Sequence, residues 1–177
     1  MIALIYAHPY PRRSRANRAL LEATTDLPFV VVRQLYELYP DFAIDIAAEQ
    51  AVLAEAGAMV WQHPLYWYSV PPLLKLWFDK VLTHGWAYGS GGTALHGKGC
   101  QWVATTGGTP ATYTDAGLHG GDFERFLPPI QQTARFCGMR WHEPIVVHGA
   151  HRIDDRALSK AAFRYRERLA MLEATHG

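Results

Sequence analysis

The segment MIALIYAHPYPRRSRAN (residues 1–17) joins a strand pattern to a helix start across a short polar turn. Ile2 to Ala7 are apolar almost without interruption, which is typical of a strand covered on both faces in a parallel sheet. A turn with two prolines follows, and Ser14 is a favourable N-cap for a helix over Ala16 to Thr24. A buried strand that leads into a helix begins a β-α-β unit, so an α/β fold is expected.

The same alternation of strand and helix continues along the rest of the chain. The predicted strands are 2–7, 29–33, 58–62, 100–105 and 140–147, and the predicted helices are 16–24, 45–56, 70–82, 123–137 and 158–172. This pattern favours a flavodoxin-like fold, with a five-stranded parallel sheet of order 2-1-3-4-5 and helices on both faces. The length of 177 residues, without repeat or linker, predicts a single domain over residues 1–177.

The composition is that of an ordinary globular protein, with 49% hydrophobic and 19% charged residues. A formal charge of +1 gives no strong field that would attract nucleic acid. Cys100 and Cys137 lack metal-site spacing, so we expect reduced, buried thiols and no metal site. No apolar run reaches the roughly 18 residues that span a bilayer, and no signal-peptide pattern is present, so a cytoplasmic protein is expected.

Apolar residues cover almost the whole circumference of the predicted helix 70–82, which contains Leu73, Leu74, Leu76, Trp77, Phe78, Val81 and Leu82. A helix that is apolar on all sides is buried on all sides. In a domain of this size, we therefore expect part of this helix to face a second subunit.

Ligands of open α/β sheets bind beyond the carboxyl ends of the strands. The first loop there is residues 8–17, where a helix N-terminus suits a phosphate and where His8, Ser14 and Asn17 add polar groups. A capped helix without any ligand is an equally good interpretation of this loop. The nearby arginines 12, 13, 15 and 18 either face water or attract the phosphates of a dinucleotide.

Two further loops follow the third and fourth predicted strands. Residues 63–69 (HPLYWYS) contain three adjacent aromatic residues that cannot all enter one core, which favours a flat ring ligand over the alternative of a structural lid. Residues 105–108 (TTGG) contain paired glycines, which allow backbone N–H groups to approach a ligand closely. Tyr113 and His119 lie downstream of this glycine pair and are candidate catalytic residues.

These motifs resemble those of the flavodoxin-like NAD(P)H:quinone oxidoreductase family. Residues 105–108 with Tyr113, Gly117, His119 and Gly120 resemble the segment TTGGxxxxYxxxGxHG, and residues 63–71 resemble the loop HPxxWYxxP. The resemblance implies a bound flavin, FMN with FAD as the alternative. It also implies NAD(P)H as electron donor, a quinone substrate, two-electron hydride transfer through the flavin N5, and a homodimer with sites shared between subunits.

The resemblance also implies roles for particular residues. The cofactor-binding residues are His8, Ser14, Arg15, Ala16 and Asn17 at the phosphate end, and Leu65, Tyr66, Trp67, Tyr68, Thr105, Thr106, Gly107 and Gly108 at the ring system. Tyr113 and His119 match the catalytic pair beside the flavin. Pro110 departs from the family pattern in the loop before Tyr113 and bears on how that side chain is presented.

Residues 5–11, 38–42 and 44–50 extend the resemblance to ancillary subunits of glutathione-regulated potassium-efflux systems. This implies activation of a membrane potassium/proton antiporter of the KefC type and peripheral attachment to the cytoplasmic face of the inner membrane. The acidic residues Asp41, Asp45, Glu49 and Glu55 are a candidate contact face, with a solvated helix face as the alternative. The other functional interpretations are a stand-alone quinone or electrophile reductase and a flavodoxin-type electron carrier.

Overall fold

The computed structural model describes residues 1–177 and contains a six-stranded parallel sheet. The strands are β1 (Ile2–Tyr6), β2 (Val30–Gln34), β3 (Ala58–Pro64), β4 (Gly99–Thr105), β5 (Arg140–Trp141) and β6 (Ile145–Val147). The helices are α1 (Arg15–Glu22), α2 (Leu35–Leu38), α3 (Ile46–Glu55), α4 (Pro72–Val81), α5 (Leu127–Phe136) and α6 (Asp155–His176). The order β2-β1-β3-β4-β5 confirms the predicted flavodoxin-like sheet, and β6 is an additional strand that pairs with β4.

Two apolar layers form because successive side chains of each central strand point to opposite faces of the sheet. Ile5, Trp61 and Trp102 face the layer covered by α3, α4 and α5. Leu4 and Val60 face the layer covered by α1 and α6. Helices therefore cover both faces, which explains the uninterrupted apolar pattern of the central strands.

The predicted strand 140–147 is wrong in one respect, because the structure divides it into β5 and β6. Trp141 pairs with Cys100, and Ile145 pairs with Val103. From the first pair to the second, the β5–β6 segment advances four residues while β4 advances three. The one extra residue makes Trp141 and Ile145 face opposite layers although an even number of positions separates them. Pro144 lies in this interruption and has no backbone N–H to contribute to a ladder.

Helix α4 does not need a second subunit to cover its apolar side chains. One chain buries Leu73, Leu74, Trp77, Phe78 and Val81, and Leu76 is half-buried beside the exposed polar side chains of the helix. Lys75 and Asp79 are exposed there and form an ion pair of 2.6 Å. The apolar circumference of this helix therefore does not by itself require a second subunit, and the homodimer stays a prediction.

Glu49 does not belong to an acidic surface, because its side chain is fully buried. Its carboxylate accepts hydrogen bonds from Arg33 at 2.6 Å, from the Tyr39 hydroxyl at 2.7 Å and from the Trp77 Nε1–H at 2.8 Å. A buried carboxylate is tolerated when its charge is paired and its oxygens are hydrogen-bonded. The other three acidic residues, Asp41, Asp45 and Glu55, are exposed.

Cys100 and Cys137 are both free and buried, as expected. Burial raises the pKa of each thiol, that of Cys137 to about 11, so neither is a reactive thiolate. None of the helices combines the length and the apolar composition that crossing a membrane requires.

Candidate functional site

The three loops that the sequence singles out meet at the carboxyl end of the sheet. They follow β1, β3 and β4, which are neighbours in the strand order. Together they line a cleft of about 350 Å³ and an adjoining hollow of about 250 Å³, which share Leu65 and Gly107. We call the first the phosphate end of the site and the second the ring end.

The N-terminus of α1 supplies free backbone donors at the phosphate end. The Ser14 hydroxyl caps the helix by accepting a hydrogen bond from the Asn17 N–H at 3.3 Å. The N–H groups of Arg15 and Ala16 donate to no acceptor in the protein. Free N–H groups and the helix dipole together favour an anion such as a phosphate.

His8 adds a neutral donor to the phosphate end. Its Nδ1 accepts the Tyr10 N–H at 3.0 Å, so the proton of the neutral ring lies on Nε2. Burial lowers the pKa of His8 to about 4. The ring therefore donates a hydrogen bond from Nε2 without carrying a charge at neutral pH.

The two arginines of the phosphate end differ in how they are held. The Arg15 guanidinium donates to the Ile153 carbonyl and to the Asp155 carboxylate, which fixes it on the segment before α6. The Arg13 guanidinium lies over the Tyr10 ring, 5.9 Å from its centroid. Since Arg13 has no carboxylate partner, it is the uncommitted cation of the cleft.

The aromatic loop divides between the two parts of the site. Leu65 and Tyr66 line the phosphate end, and Trp67 and Tyr68 line the ring end. Trp67 and Tyr68 have φ values of 47° and 62°, a left-handed conformation that non-glycine residues seldom adopt. Trp67 is 92% exposed, so the loop does not act as a lid that buries its aromatic side chains.

The glycine pair after β4 supplies the backbone donors of the ring end. The N–H groups of Gly107 and Gly108 have no acceptor in the protein, whereas the Thr106 N–H donates to the Val147 carbonyl at 3.0 Å. Of the N–H groups of residues 106–108, only the two glycine donors are thus free for a ligand. A Cβ on Gly108 would lie 2.5 Å from the Thr112 Oγ1, so any larger residue here must displace that side chain.

Tyr113 and His119 lie together despite the departure at Pro110. Pro110 opens a single 3-10 turn, and the Tyr113 N–H closes it by donating to the Pro110 carbonyl at 3.1 Å. The rings of Tyr113 and His119 stack with centroids 4.3 Å apart. The Tyr68 hydroxyl lies 3.4 Å from the His119 Nδ1, so the ring end joins the aromatic loop to this pair.

The side chains of Ala16 and Asn17 are buried and do not line the cleft, although the free Ala16 N–H belongs to the helix N-terminus there. The Asn17 Nδ2 donates to the Thr105 Oγ1 at 2.6 Å. The Asn17 carbonyl accepts from the Gln62 Nε2, whose amide oxygen accepts from the Tyr165 hydroxyl. This buried chain of hydrogen bonds joins α6, β3, α1 and β4 and holds the Thr105 side chain in place from the interior of the protein.

Four residues line the phosphate end without having been considered for a ligand from the sequence: Tyr10, Pro64, Ala150 and His151. Ala150 and His151 come from the loop after β6. β6 is a parallel strand, so the loop after it also lies at the carboxyl edge of the sheet, where ligands of open α/β sheets bind. The position of this loop was therefore a signal in the sequence that it contributes to the site.

The donors fit a ligand with a phosphate at one end and a flat ring at the other, which is the shape of FMN. The phosphate end offers free N–H groups and the Arg13 cation, and the ring end offers aromatic side chains with two free backbone donors. The residues present are therefore compatible with the cofactor that the sequence implies.

Comparisons with known proteins agree with this architecture. A family model of the flavodoxin-like fold matches residues 1–169. The glutathione-regulated potassium-efflux system ancillary protein KefF of Salmonella newport is 54% identical over 178 residues, with 100% of each chain covered.

Three solved structures share the fold across almost the whole chain. General stress protein 14 of Treponema denticola, solved in complex with FMN, is 36% identical with a TM-score of 0.85 and 98% of each chain covered. An NADPH-quinone reductase from P. pentosaceus is 25% identical with a TM-score of 0.86, covering 94% of this chain and 96% of that one. A chain described as a thermophilic tryptophan halogenase from Streptomycin violaceusniger is 40% identical with a TM-score of 0.89, covering 94% and 96%.

The activities named for these proteins differ, but their fold is common to all of them. The match over residues 1–169 and the identity with KefF over the whole length confirm the resemblance found in the sequence. The chain belongs to the flavodoxin-like family that includes NAD(P)H:quinone reductases and the KefF ancillary proteins.

Proposed function

We propose that the chain binds FMN in this cleft and acts as an NAD(P)H:quinone oxidoreductase. The observation that carries the proposal is the ring end, where the free Gly107 and Gly108 N–H groups lie beside the stacked Tyr113–His119 pair. FMN in the Treponema denticola relative and the reductase name of the P. pentosaceus relative support the same cofactor and reaction class.

The residues of the chain take separate parts of the task. We assign the N–H groups of Arg15 and Ala16, the Ser14 hydroxyl and the His8 Nε2–H to binding the phosphate. We assign residues 65–68 and the Thr105–Gly108 segment to orienting the ring. FMN and not FAD is proposed because a single helix N-terminus supplies the free donors for one phosphate.

When bound, FMN would supply two-electron hydride chemistry between NAD(P)H and a quinone through its N5. Donors that point at developing charge stabilise it without reorganising, and the Gly107 and Gly108 N–H groups serve this role. We assign the Tyr68 hydroxyl, 3.4 Å away, as the donor to His119 Nδ1, which places the ring proton on Nε2. That atom lies on the side of Gly108, where it donates a hydrogen bond to the reacting oxygen, and a proton passed on from Nε2 is replaced at Nδ1 from the solvent-exposed Tyr68 hydroxyl.

The visible spectrum of the purified protein tests the core of this proposal. We expect flavin absorbance that bleaches when NAD(P)H is added and returns when a quinone is added. A colourless protein that also fails to bind added FMN would contradict the proposal. Single-electron transfer to a protein acceptor without turnover of any quinone would favour an electron carrier instead.

The Tyr113→Phe/His119→Gln double variant tests the assigned chemistry. We expect slower hydride transfer, by 10²-fold or more for a lost proton donor, while FMN stays bound. The matched control is Tyr88→Phe/His84→Gln, because this tyrosine–histidine pair, with centroids 5.6 Å apart, lies outside the cleft. Equal reduction rates in the double variant and the wild type would remove Tyr113 and His119 from the mechanism.

We propose a second role as the ancillary subunit of a potassium/proton antiporter of the KefC type. The 54% identity with KefF over the full length supports it. In this role the chain would be a cytoplasmic homodimer. It would attach peripherally to the membrane through the antiporter. The exposed residues Asp41, Asp45 and Glu55 are the candidate contact, now without the buried Glu49.

Co-purification of the tagged chain with the antiporter from detergent extracts tests this role. We expect Asp41→Lys/Asp45→Lys to weaken the association, since opposite charges guide such contacts, and Tyr113→Phe/His119→Gln to leave it intact. A chain that reduces quinones but never co-purifies would be a stand-alone reductase. Analytical ultracentrifugation tests the homodimer, which a single species of 19.9 kDa would contradict.

A further inference from the structure

His148 lies just after β6 and contacts both the Thr106–Gly108 segment and Tyr113. Its Nδ1 is 3.0 Å from the Thr106 Oγ1. Its ring packs against Tyr113, with centroids 5.2 Å apart, and against Phe123, with centroids 5.4 Å apart. His148 therefore joins the segment that carries the free glycine donors to the aromatic pair.

The hydrogen bonds around Thr106 fix the proton of His148. The Thr106 hydroxyl lies 2.8 Å from the Gly108 carbonyl and donates its only proton there. It must then accept a hydrogen bond from its other neighbour, so the His148 Nδ1 carries a hydrogen and donates it to the Thr106 Oγ1. Burial lowers the pKa of His148, which keeps the ring neutral at pH 7.

The backbone completes a clasp between the Thr106–Gly108 segment and the loop after β6. The Ala150 N–H donates to the Thr106 carbonyl and the Gly149 N–H donates to the Gly108 carbonyl, each at 2.8 Å. In a trans peptide the C=O and N–H groups point in opposite directions. Because the Thr106 carbonyl faces Ala150, the Gly107 N–H of the same peptide unit faces away from that loop.

We propose that His148 is a positioning residue for the backbone donors of the ring end. By holding the Thr106 hydroxyl on the Gly108 carbonyl, it fixes the segment in the conformation that leaves the Gly107 and Gly108 N–H groups free beside Tyr113. The inference rests on the proposed function for its ligand, FMN, whose reduced form carries more negative charge on the ring. Fixed donors bind that form more tightly than the oxidised form.

Two substitutions separate the hydrogen bond from the ring packing. His148→Phe keeps a ring against Tyr113 and loses the donor, whereas His148→Asn keeps an amide donor near the place of Nδ1 and loses the ring. Thr106→Val removes the hydroxyl and keeps the shape of the side chain. His142→Phe is the matched control, because His142 is a partly buried histidine that pairs with His176, away from the cleft.

The first measurement is the ratio of the dissociation constants of reduced and oxidised FMN, obtained from the two-electron midpoint potential. We expect His148→Phe and Thr106→Val each to raise this ratio about tenfold, which equals a potential lower by about 30 mV. The double variant is expected to be no worse than either single variant, since both remove the same link. His148→Asn and His142→Phe are expected to stay near the wild-type ratio.

The second measurement needs no cofactor. The ¹H–¹⁵N resonances of Gly107 and Gly108 in the flavin-free protein are expected to shift in His148→Phe and to stay near their wild-type positions in His148→Asn. If the wild type binds no FMN, the proposed function fails, but these resonances still decide the role of His148.

A His148→Phe variant with the wild-type potential and unshifted glycine resonances overturns the inference. So does a His148→Asn variant that is as impaired as His148→Phe, because a donor at this position would then not be enough to keep the glycine N–H groups in place. If His148→Phe does not fold, Thr106→Val gives the same decision through the same two measurements.

Discussion

The two ends of the sheet treat their polar groups differently, and at the amino end several charged and polar groups have partners within the chain. The Met1 amine pairs with Glu173 at 3.0 Å, and Lys98 Nζ donates to two carbonyls at the end of α3. The Nε2 atoms of His142 and His176 lie 2.9 Å apart. The last helix thus ends against the start of the sheet, with its charges and ring nitrogens in contact with partners.

The carboxyl end leaves comparable groups without partners. The N–H groups of Arg15, Ala16, Gly107 and Gly108 donate to nothing in the protein, and Trp67 is almost fully exposed. A hydrogen bond that is not made forgoes about 1 kcal/mol of stability, so an end that leaves four donors free is suited to a ligand and not to folding. Substitutions at the amino end are expected to change unfolding, and those at the carboxyl end ligand binding and chemistry.

The largest expected effect is a loss of stability at low pH. It comes from His63, a group near the carboxyl end that supports the fold and is therefore an exception to the difference between the two ends. His63 is fully buried, its Nε2 accepts the Trp102 Nε1–H at 2.7 Å, and burial lowers its pKa to about 4. The unfolded chain binds a proton at this ring near pH 6.5, whereas the folded protein binds it only near pH 4. The free energy of unfolding is therefore highest above pH 6.5 and decreases as the pH falls toward 4. The loss from this residue is about 3 kcal/mol.

Urea unfolding at a series of pH values measures this loss. His63→Gln keeps an acceptor for Trp102 and removes the titrating ring, so its free energy of unfolding should depend less on pH in this window. Parallel pH profiles for the variant and the wild type would contradict the assignment.

At the amino end, Gly57→Ala should destabilise the fold without affecting the ligand. A Cβ there would lie 1.6 Å from the His176 carbonyl oxygen, so the end of α6 must move. We expect a loss of about 2 kcal/mol, which lowers the melting temperature by about 4–8 °C. Gly107→Ala is the control at the other end, because its Cβ would lie 3.5 Å from the nearest atom.

Gly108→Ala should give the reverse pattern. Its Cβ would lie 2.5 Å from the Thr112 Oγ1, 3.0 Å from the Tyr113 ring and 3.1 Å from His119 Nε2, so it displaces side chains of the ring end and contacts none of the helices that cover the sheet. We expect quinone reduction to slow about tenfold, with a melting temperature within a few degrees of the wild type. Loss of stability with unchanged turnover in Gly108→Ala would break the contrast between the two ends.

The smallest effect is expected for Glu173→Gln, which removes the partner of the Met1 amine. Both groups are about 30% exposed, so solvent screens the pair. We expect a loss of about 0.5 kcal/mol at low salt that fades at high salt. Denaturant unfolding at two ionic strengths measures it, and a loss above about 2 kcal/mol would show that the amino end is more tightly coupled than these contacts indicate.

The features that the sequence predicts well depend on neighbouring residues. Ser14 caps α1, and the glycine pair after β4 has free N–H groups, because capping and glycine turns are local properties of the backbone. The sheet order also follows from the alternation of strands and helices, since parallel strands need crossover helices.

The features that the sequence did not predict depend on residues far apart in the chain. The burial of Glu49 follows from Arg33, Tyr39 and Trp77, which no local pattern connects to it. His148 and His151 reach the site only because β6 brings their loop beside β4. A charge pattern along one helix cannot report the partners that tertiary packing supplies.

The extra residue between β5 and β6 decides which face of the sheet the side chains of β6 point to. Deleting one of residues 142–144 would let the two strands join into one regular strand, in which residues 145–147 keep their present faces. Deleting two would invert those faces, because a shift of one position in phase exchanges the two sides of a strand. Homologues that differ by one residue here can therefore keep the loop that carries His148 in place. A chain shortened by two would lose that placement with every residue of the site unchanged.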